Sequence, residues 1–173
     1  MANARRLILA LLVAAMALQV EAAERPDFSG LWVPDAARSS TQKELKEKTD
    51  APAPPPPPSA GELPQLRIEH REPKLTVSFL DSQGELLSSL AMTTDGAEAL
   101  NKRGEAMVHR STTAWRGSAL VTTWSLESNG TRLIGGTDTR ELGEGLLTIT
   151  GEVEDAKSRT RTVTVYTLAP PSN

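Results

Sequence analysis

From Leu66 onward the chain alternates between apolar and polar residues. Leu66, Ile68 and His70 fall on one face of an extended segment, with Arg67, Glu69 and Arg71 on the other. After Glu72-Pro73, Leu75, Val77 and Phe79 resume the apolar face. Successive side chains of a strand point to opposite faces, so a period of two predicts half-buried β-strands. The rhythm continues as a weaker strand over 85–94, ended by the hairpin-type dipeptide Asp95-Gly96, then as strands over 106–115, 119–127, 132–142, 146–154 and 159–168. In the 119–127 segment Leu120, Thr122, Trp124 and Leu126 oppose Val121, Thr123 and Ser125. The turn signals between strands are Asp81-Ser82-Gln83-Gly84, Arg116-Gly117-Ser118, Ser128-Asn129-Gly130-Thr131, Gly143-Glu144-Gly145 and Asp155-Ala156-Lys157. Asn129-Gly130 is the clearest, because both residues tolerate the positive φ angles of a type I′ hairpin. The polar stretch 97–105 lacks alternation and reads as irregular.

Ahead of this series, Phe28-Ser29-Gly30-Leu31-Trp32-Val33 reads as an opening strand, in which Gly30 leaves room for a backbone or a large ring. With it the count reaches about nine strands, joined by short turns into an antiparallel meander. The predicted fold class is all-β, an antiparallel up-and-down barrel of about eight to ten strands, since closure removes the exposed edges. A sandwich is the alternative, and the short turns favour the barrel. Thr41-Gln42-Lys43-Glu44 has capping-box spacing and Glu44 and Lys48 form an i,i+4 pair, which predicts a short surface helix. Residues 51–64 hold Pro52 and the run Pro54 to Pro58. Prolines in series favour extended polyproline II and lack amide donors, so this is an exposed loop outside any sheet.

The first 23 residues change the compartment. Arg5 and Arg6 precede an apolar stretch from Leu7 to Leu18, and small residues follow at Ala22 and Ala23. Such a stretch falls short of the roughly 20 residues a bilayer span needs, so it reads as a cleaved signal peptide. Residues 24–173 then form a single domain, periplasmic or secreted, with no membrane anchor after cleavage. The net charge is -3 and no basic stripe is present, which argues against nucleic acid as a partner. The chain has no cysteine, so disulfides, thiol nucleophiles and thiolate metal sites are excluded.

Candidate chemistry is sparse. His70 and His109 are the two histidines, each in phase with apolar neighbours, and both read as structural. No metal site is expected, since no cysteines, helical histidine pair or acidic loop supplies three or four converging ligands. No cofactor is expected either: there is no nucleophile elbow, and no glycine-rich turn precedes a helix. An enzyme would need His70 or His109 beside a carboxylate such as Glu69, Glu127 or Asp138. The three tryptophans and Phe79 either line a cavity or fill it, because an eight-stranded barrel has room for side chains or for one small ligand. Trp115, Trp124, Phe79 and His109 are the candidate ligand-lining residues.

Gly30-Leu31-Trp32 matches the Gly-x-Trp pattern of the lipocalin first strand. With Asp27 to Asp35, and with Ala114-Trp115-Arg116-Gly117-Ser118-Ala119-Leu120-Val121, it resembles exported bacterial lipocalin-like (calycin-type) β-barrel proteins. The resemblance covers the opening segment and one central hairpin. It implies a calycin-like barrel with Gly30 and Trp32 at the closed end, and an arginine near the last strand, Arg159 or Arg161, against Trp32. Lipocalins also carry Thr-Asp-x-Arg in a later loop; Thr137-Asp138-Thr139-Arg140 has these letters but lies inside a predicted strand. The expected function is an exported, non-enzymatic barrel binding a small apolar molecule. The alternative is a packed structural or protein-interaction domain that works through its loops, its protein partner unnamed by the sequence.

Overall fold

The computed structural model describes residues 25–45, 63–154 and 158–170. The predicted signal segment, the proline run, residues 46–50 and the predicted turn at 155–157 lie outside the described residues. Ten strands follow in order: β1 Gly30–Leu45, β2 Gln65–Arg71, β3 Lys74–Leu80, β4 Leu86–Thr93, β5 Asp95–Arg103, β6 Met107–Arg116, β7 Ala119–Ser128, β8 Thr131–Gly143, β9 Leu146–Glu154 and β10 Ser158–Leu168. They form one antiparallel sheet in the order β4-β3-β2-β1-β10-β9-β8-β7-β6-β5. Each strand pairs with its sequence neighbour except at two places: β1 closes against β10, and β4 and β5 are the two ends of the sheet.

Those two ends meet through a side chain. Asn101 on β5 donates from Nδ2 to the Ala91 carbonyl at 2.9 Å, and its Oδ1 accepts the Ala91 amide at 2.8 Å. An amide group has the donor and acceptor of a peptide, so it stands in for one ladder rung. The result is a nearly closed barrel with a seam between β4 and β5.

Several expectations need correcting. The stretch 97–105 is not irregular, because most of it belongs to β5, paired with β6 from Glu98↔Thr112 to Arg103↔Met107. Asp95-Gly96 does not make a paired hairpin; the Thr94 amide instead donates to the Pro73 carbonyl at 2.7 Å. Thr41 to Leu45 are extended and paired with β10, so the capping-box letters do not start a helix there. A long ladder outweighs a local capping preference. Among the described residues there is no helix.

Cross-strand partners share a face, so the ladders define the interior. At one end of the barrel Phe28, Trp32, Leu75, Leu120, Leu147 and Tyr166 are buried in a single apolar cluster. From there Leu66, Val77 and Leu90 continue an apolar wall along β2, β3 and β4. The opposite wall, built by β6, β7 and β8, is polar: His109, Ser111, Thr113, Thr122 and Arg140 are all buried.

Candidate ligand site

The filled end is organised around the chain's entry. Phe28 is fully buried, and its ring lies 5.9 Å from His70 and 5.8 Å from Trp115. Trp32 donates its indole N–H back to the Phe28 carbonyl at 2.9 Å. Gly30 is needed beside it: a Cβ there would sit 2.5 Å from Leu168 Cδ1 and 3.5 Å from the Trp32 ring nitrogen, at a φ of 145°. The expected arginine is not at this place. Trp32 lies opposite Leu168, whereas Arg161 lies opposite Gln42 and Arg159 opposite Glu44. At about 3.3 Å per residue, that puts both roughly 20 Å or more along β10. Arg159 instead bonds Glu152 at 2.7 Å on the outer face.

Glu72 ties this end together from the β2–β3 turn. It accepts hydrogen bonds from Thr94 and, at 2.6 Å, from Trp115 Nε1. Burial pushes its carboxyl up, yet these two bonds, with His70 and Arg25 nearby, outweigh that and hold it below the ordinary carboxylate range. Arg25 stacks over the Trp115 ring, 5.5 Å from its centre. Trp115 is thus a packing residue of the filled end and takes no part in the polar wall.

Farther up the polar wall the structure brings His109 and Trp124 together, with rings stacked 5.8 Å apart at 20°. Gly136, opposite Trp124, is enclosed on two sides, since a Cβ there would run into the Glu152 carbonyl oxygen and also meet Trp124 Cζ2 at 3.1 Å. Gly151 likewise lies under Asp138, whose Oδ1 is 3.3 Å from a Cβ built there. Phe79 lies across the barrel on β3. It lines a depression of about 460 Å³ at the rim with Leu63, Leu87, Ser88 and Arg103. Of the four candidate lining residues, two are neighbours, one faces the mouth and one is at the opposite end.

The charged residue that matters most was not singled out from the sequence. Arg140 points into the barrel with 4% of its side chain exposed. Its Nη1 donates to Thr122 Oγ1 at 2.8 Å, and its Nη2 lies 3.7 Å from Asp138 Oδ2. Its Nε has no hydrogen-bond partner among the described residues. Burial lowers the guanidinium's pKa, against the opposing pull of Asp138 and Tyr166. Burial likewise pushes the Tyr166 hydroxyl up to about 12, with Arg140 opposing and Asp138 reinforcing it. Asp138 is on the same inner face, with 29% of its side chain exposed.

A parity signal for Arg140 was present: it shares its face of β8 with Asp138 and Leu142. Thr137-Asp138-Thr139-Arg140 does lie inside a strand, as read. Of the carboxylates weighed as histidine partners, Asp138 is close enough to act on His109, whereas Glu127 is bound to Arg110 at 3.1 Å. His109 is depressed by burial first and by Arg103 next, with Asp138 opposing, so its ring is neutral at pH 7. No group of three metal-capable side chains occurs among the described residues.

No protein-family model matches the chain, and no curated protein matches it. Solved structures resemble it in outline. Wild-type fluorescent protein UnaG is 20% identical, over 82% of this chain and 97% of that one, with a TM-score of 0.48. A UnaG mutant is 22% identical over 62% and 73% of the two chains, TM-score 0.44. A mutant of the REP1-NXSQ fatty acid transporter is 13% identical over 61% and 72%, TM-score 0.44.

Proposed function

We propose that this chain is an exported, non-enzymatic barrel that holds a small, mostly apolar molecule, with an anionic end of that molecule at Arg140. The observation that carries the reading is a buried guanidinium whose Nε lacks a hydrogen-bond partner among the described residues, in a barrel whose other wall is apolar. A buried cation is costly unless it is paired and hydrogen-bonded. The ion pair with Asp138 at 3.7 Å and the bond to Thr122 offset part of that cost and leave the Nε–H without a pairing among the described residues. An anionic group reaching the Nε–H would supply that pairing by a charge-assisted bond. The apolar wall of Leu66, Val77 and Leu90 would take the rest of the molecule. Export is supported by the Arg5-Arg6 and Leu7 to Leu18 pattern.

The test is native mass spectrometry of the folded protein with octadecanoate or 1-octadecanol. Wild type should retain the carboxylate at least about tenfold better than the alcohol, as one charge-assisted bond allows. Arg140→Met should erase that difference. A wild-type protein that retains neither would overturn the reading and favour the packed interaction domain.

A further inference from the structure

Above Arg140 the polar wall carries more hydrogen-bonding capacity than the protein itself uses. Thr113 and Thr122 satisfy each other at 2.9 Å, and Thr122 also receives Arg140. The next row holds Ser111 opposite Trp124, and the row beyond holds His109 opposite Leu126. Ser111 Oγ, Trp124 Nε1 and His109 Nδ1 are all buried without a hydrogen-bond partner among the described residues. Ser111 is 2% exposed and His109 9%. Each such group costs stability when left unpaired, and three in adjoining rows is more than a native interior usually carries in one place.

A head group at Arg140 does not reach them. Rows on one face of a strand are two residues apart, about 7 Å, so Ser111 and His109 stand roughly 7 and 14 Å beyond the Thr113–Thr122 row. A plain alkyl chain running up the barrel would leave all three unsatisfied. A hydroxyl or carbonyl at that level would serve them, because Ser111 and neutral His109 can each donate or accept while Trp124 donates.

We infer that the ligand is an amphiphile oxygenated twice, with an anionic end at Arg140 and a hydroxyl or carbonyl further along that meets Ser111, His109 and Trp124. The class is a hydroxylated or oxo long-chain acid rather than a simple fatty acid. The inference rests on Arg140 as the anchor of the anionic end.

The experiment titrates the full protein with octadecanoate and with 10-hydroxyoctadecanoate by calorimetry, in wild type, Ser111→Ala and His109→Phe. Ser111→Ala removes one atom, and His109→Phe keeps a ring against Trp124, so either serves if the other misfolds. Wild type should favour the hydroxy acid by roughly tenfold, the scale of one buried hydrogen bond no longer left unmade. In each variant that ratio should fall to about threefold or less. Equal binding of the two acids by wild type, or a preference that survives in both variants, overturns this inference and leaves the Arg140 reading standing. Binding of neither acid overturns both.

Discussion

The seam between β4 and β5 gives a sharp test of how the barrel is closed. Asn101→Ala removes the two hydrogen bonds, 2.8 and 2.9 Å long, by which one side chain replaces a ladder rung at Ala91. A typical bond contributes about 0.5 to 1.5 kcal/mol net, and water reaches this exposed site to compensate part of the loss. The expected cost is therefore about 1 to 2 kcal/mol, read as a lower urea midpoint with unchanged slope. The Ala91 amide should also lose its hydrogen-exchange protection while the β2–β3 ladder keeps it. Asn101→Asp refines the test. An ionised carboxylate still accepts from the Ala91 amide but faces the Ala91 carbonyl with no donor, so at pH 7 it should be no more stable than the alanine variant. Below about pH 4 the protonated acid regains a donor, and its stability relative to Asn101→Ala should rise. An alanine variant within about 0.3 kcal/mol of wild type, with Ala91 still protected, would refute closure by this side chain.

Two further outcomes follow from the same geometry. Gly30→Ala puts a Cβ 2.5 Å from Leu168 Cδ1 at a φ of 145°, and should cost about 1 to 3 kcal/mol in urea unfolding. Because the backbone term remains, adding Leu168→Ala should recover only part of it; full recovery would show that φ is not strained. His109 is held below its ordinary pKa by burial and Arg103, so the unfolded chain takes up its proton first as pH falls. Its contribution is intact above about pH 6.5 and is lost as pH drops through the lower folded value. His109→Phe should flatten that limb of the stability curve and leave the limb below about pH 4, where Glu72 and Asp27 protonate, in place. A limb that persists unchanged in the variant assigns it to another group.

The strands were legible wherever one face is buried and the other wet, as in Leu66, Ile68 and His70 against Arg67, Glu69 and Arg71. β5 was not, because it closes the sheet at an edge and only Ala99 and Asn101 on it are even half-buried. Period two reports the face of a residue and not its height along the barrel. Trp115 and Trp124 therefore looked equivalent, though one packs on Phe28 and the other stacks on His109. The same limit hid the arginine. Arg159 and Arg161 were sensible choices by strand number, but their register places them far from Trp32. Arg140 was read only as a letter of the Thr-Asp-x-Arg run and not as an interior charge, because a charge in a strand is ordinarily read as outward, even when its parity matches Leu142.

Arg140 also separates a structural from a binding role by which property its loss changes. If the guanidinium served only to hold β7 to β8, Arg140→Met would lose the 2.8 Å bond to Thr122 and destabilise the barrel. The surroundings argue otherwise. Thr122 keeps Thr113 as a partner at 2.9 Å, and Asp138 is 29% exposed, so neither is left stranded when the charge goes. The variant also removes a desolvated cation with an unpaired Nε and replaces it with an apolar side chain beside Leu120 and Ile149. Replacing both members of a buried ion pair by apolar groups is commonly neutral or stabilising, whereas removing one member is costly where the other stays buried. With Asp138 partly exposed and one bond to Thr122 lost, the net cost here should be about 1 kcal/mol or less. Arg140→Met should therefore melt within about 4 °C of the wild-type temperature while losing its preference for octadecanoate over octadecanol. A variant that melts markedly lower would return Arg140 to the scaffold. Stability kept and anion preference lost would mean that the chain tolerates a buried charge for what it binds.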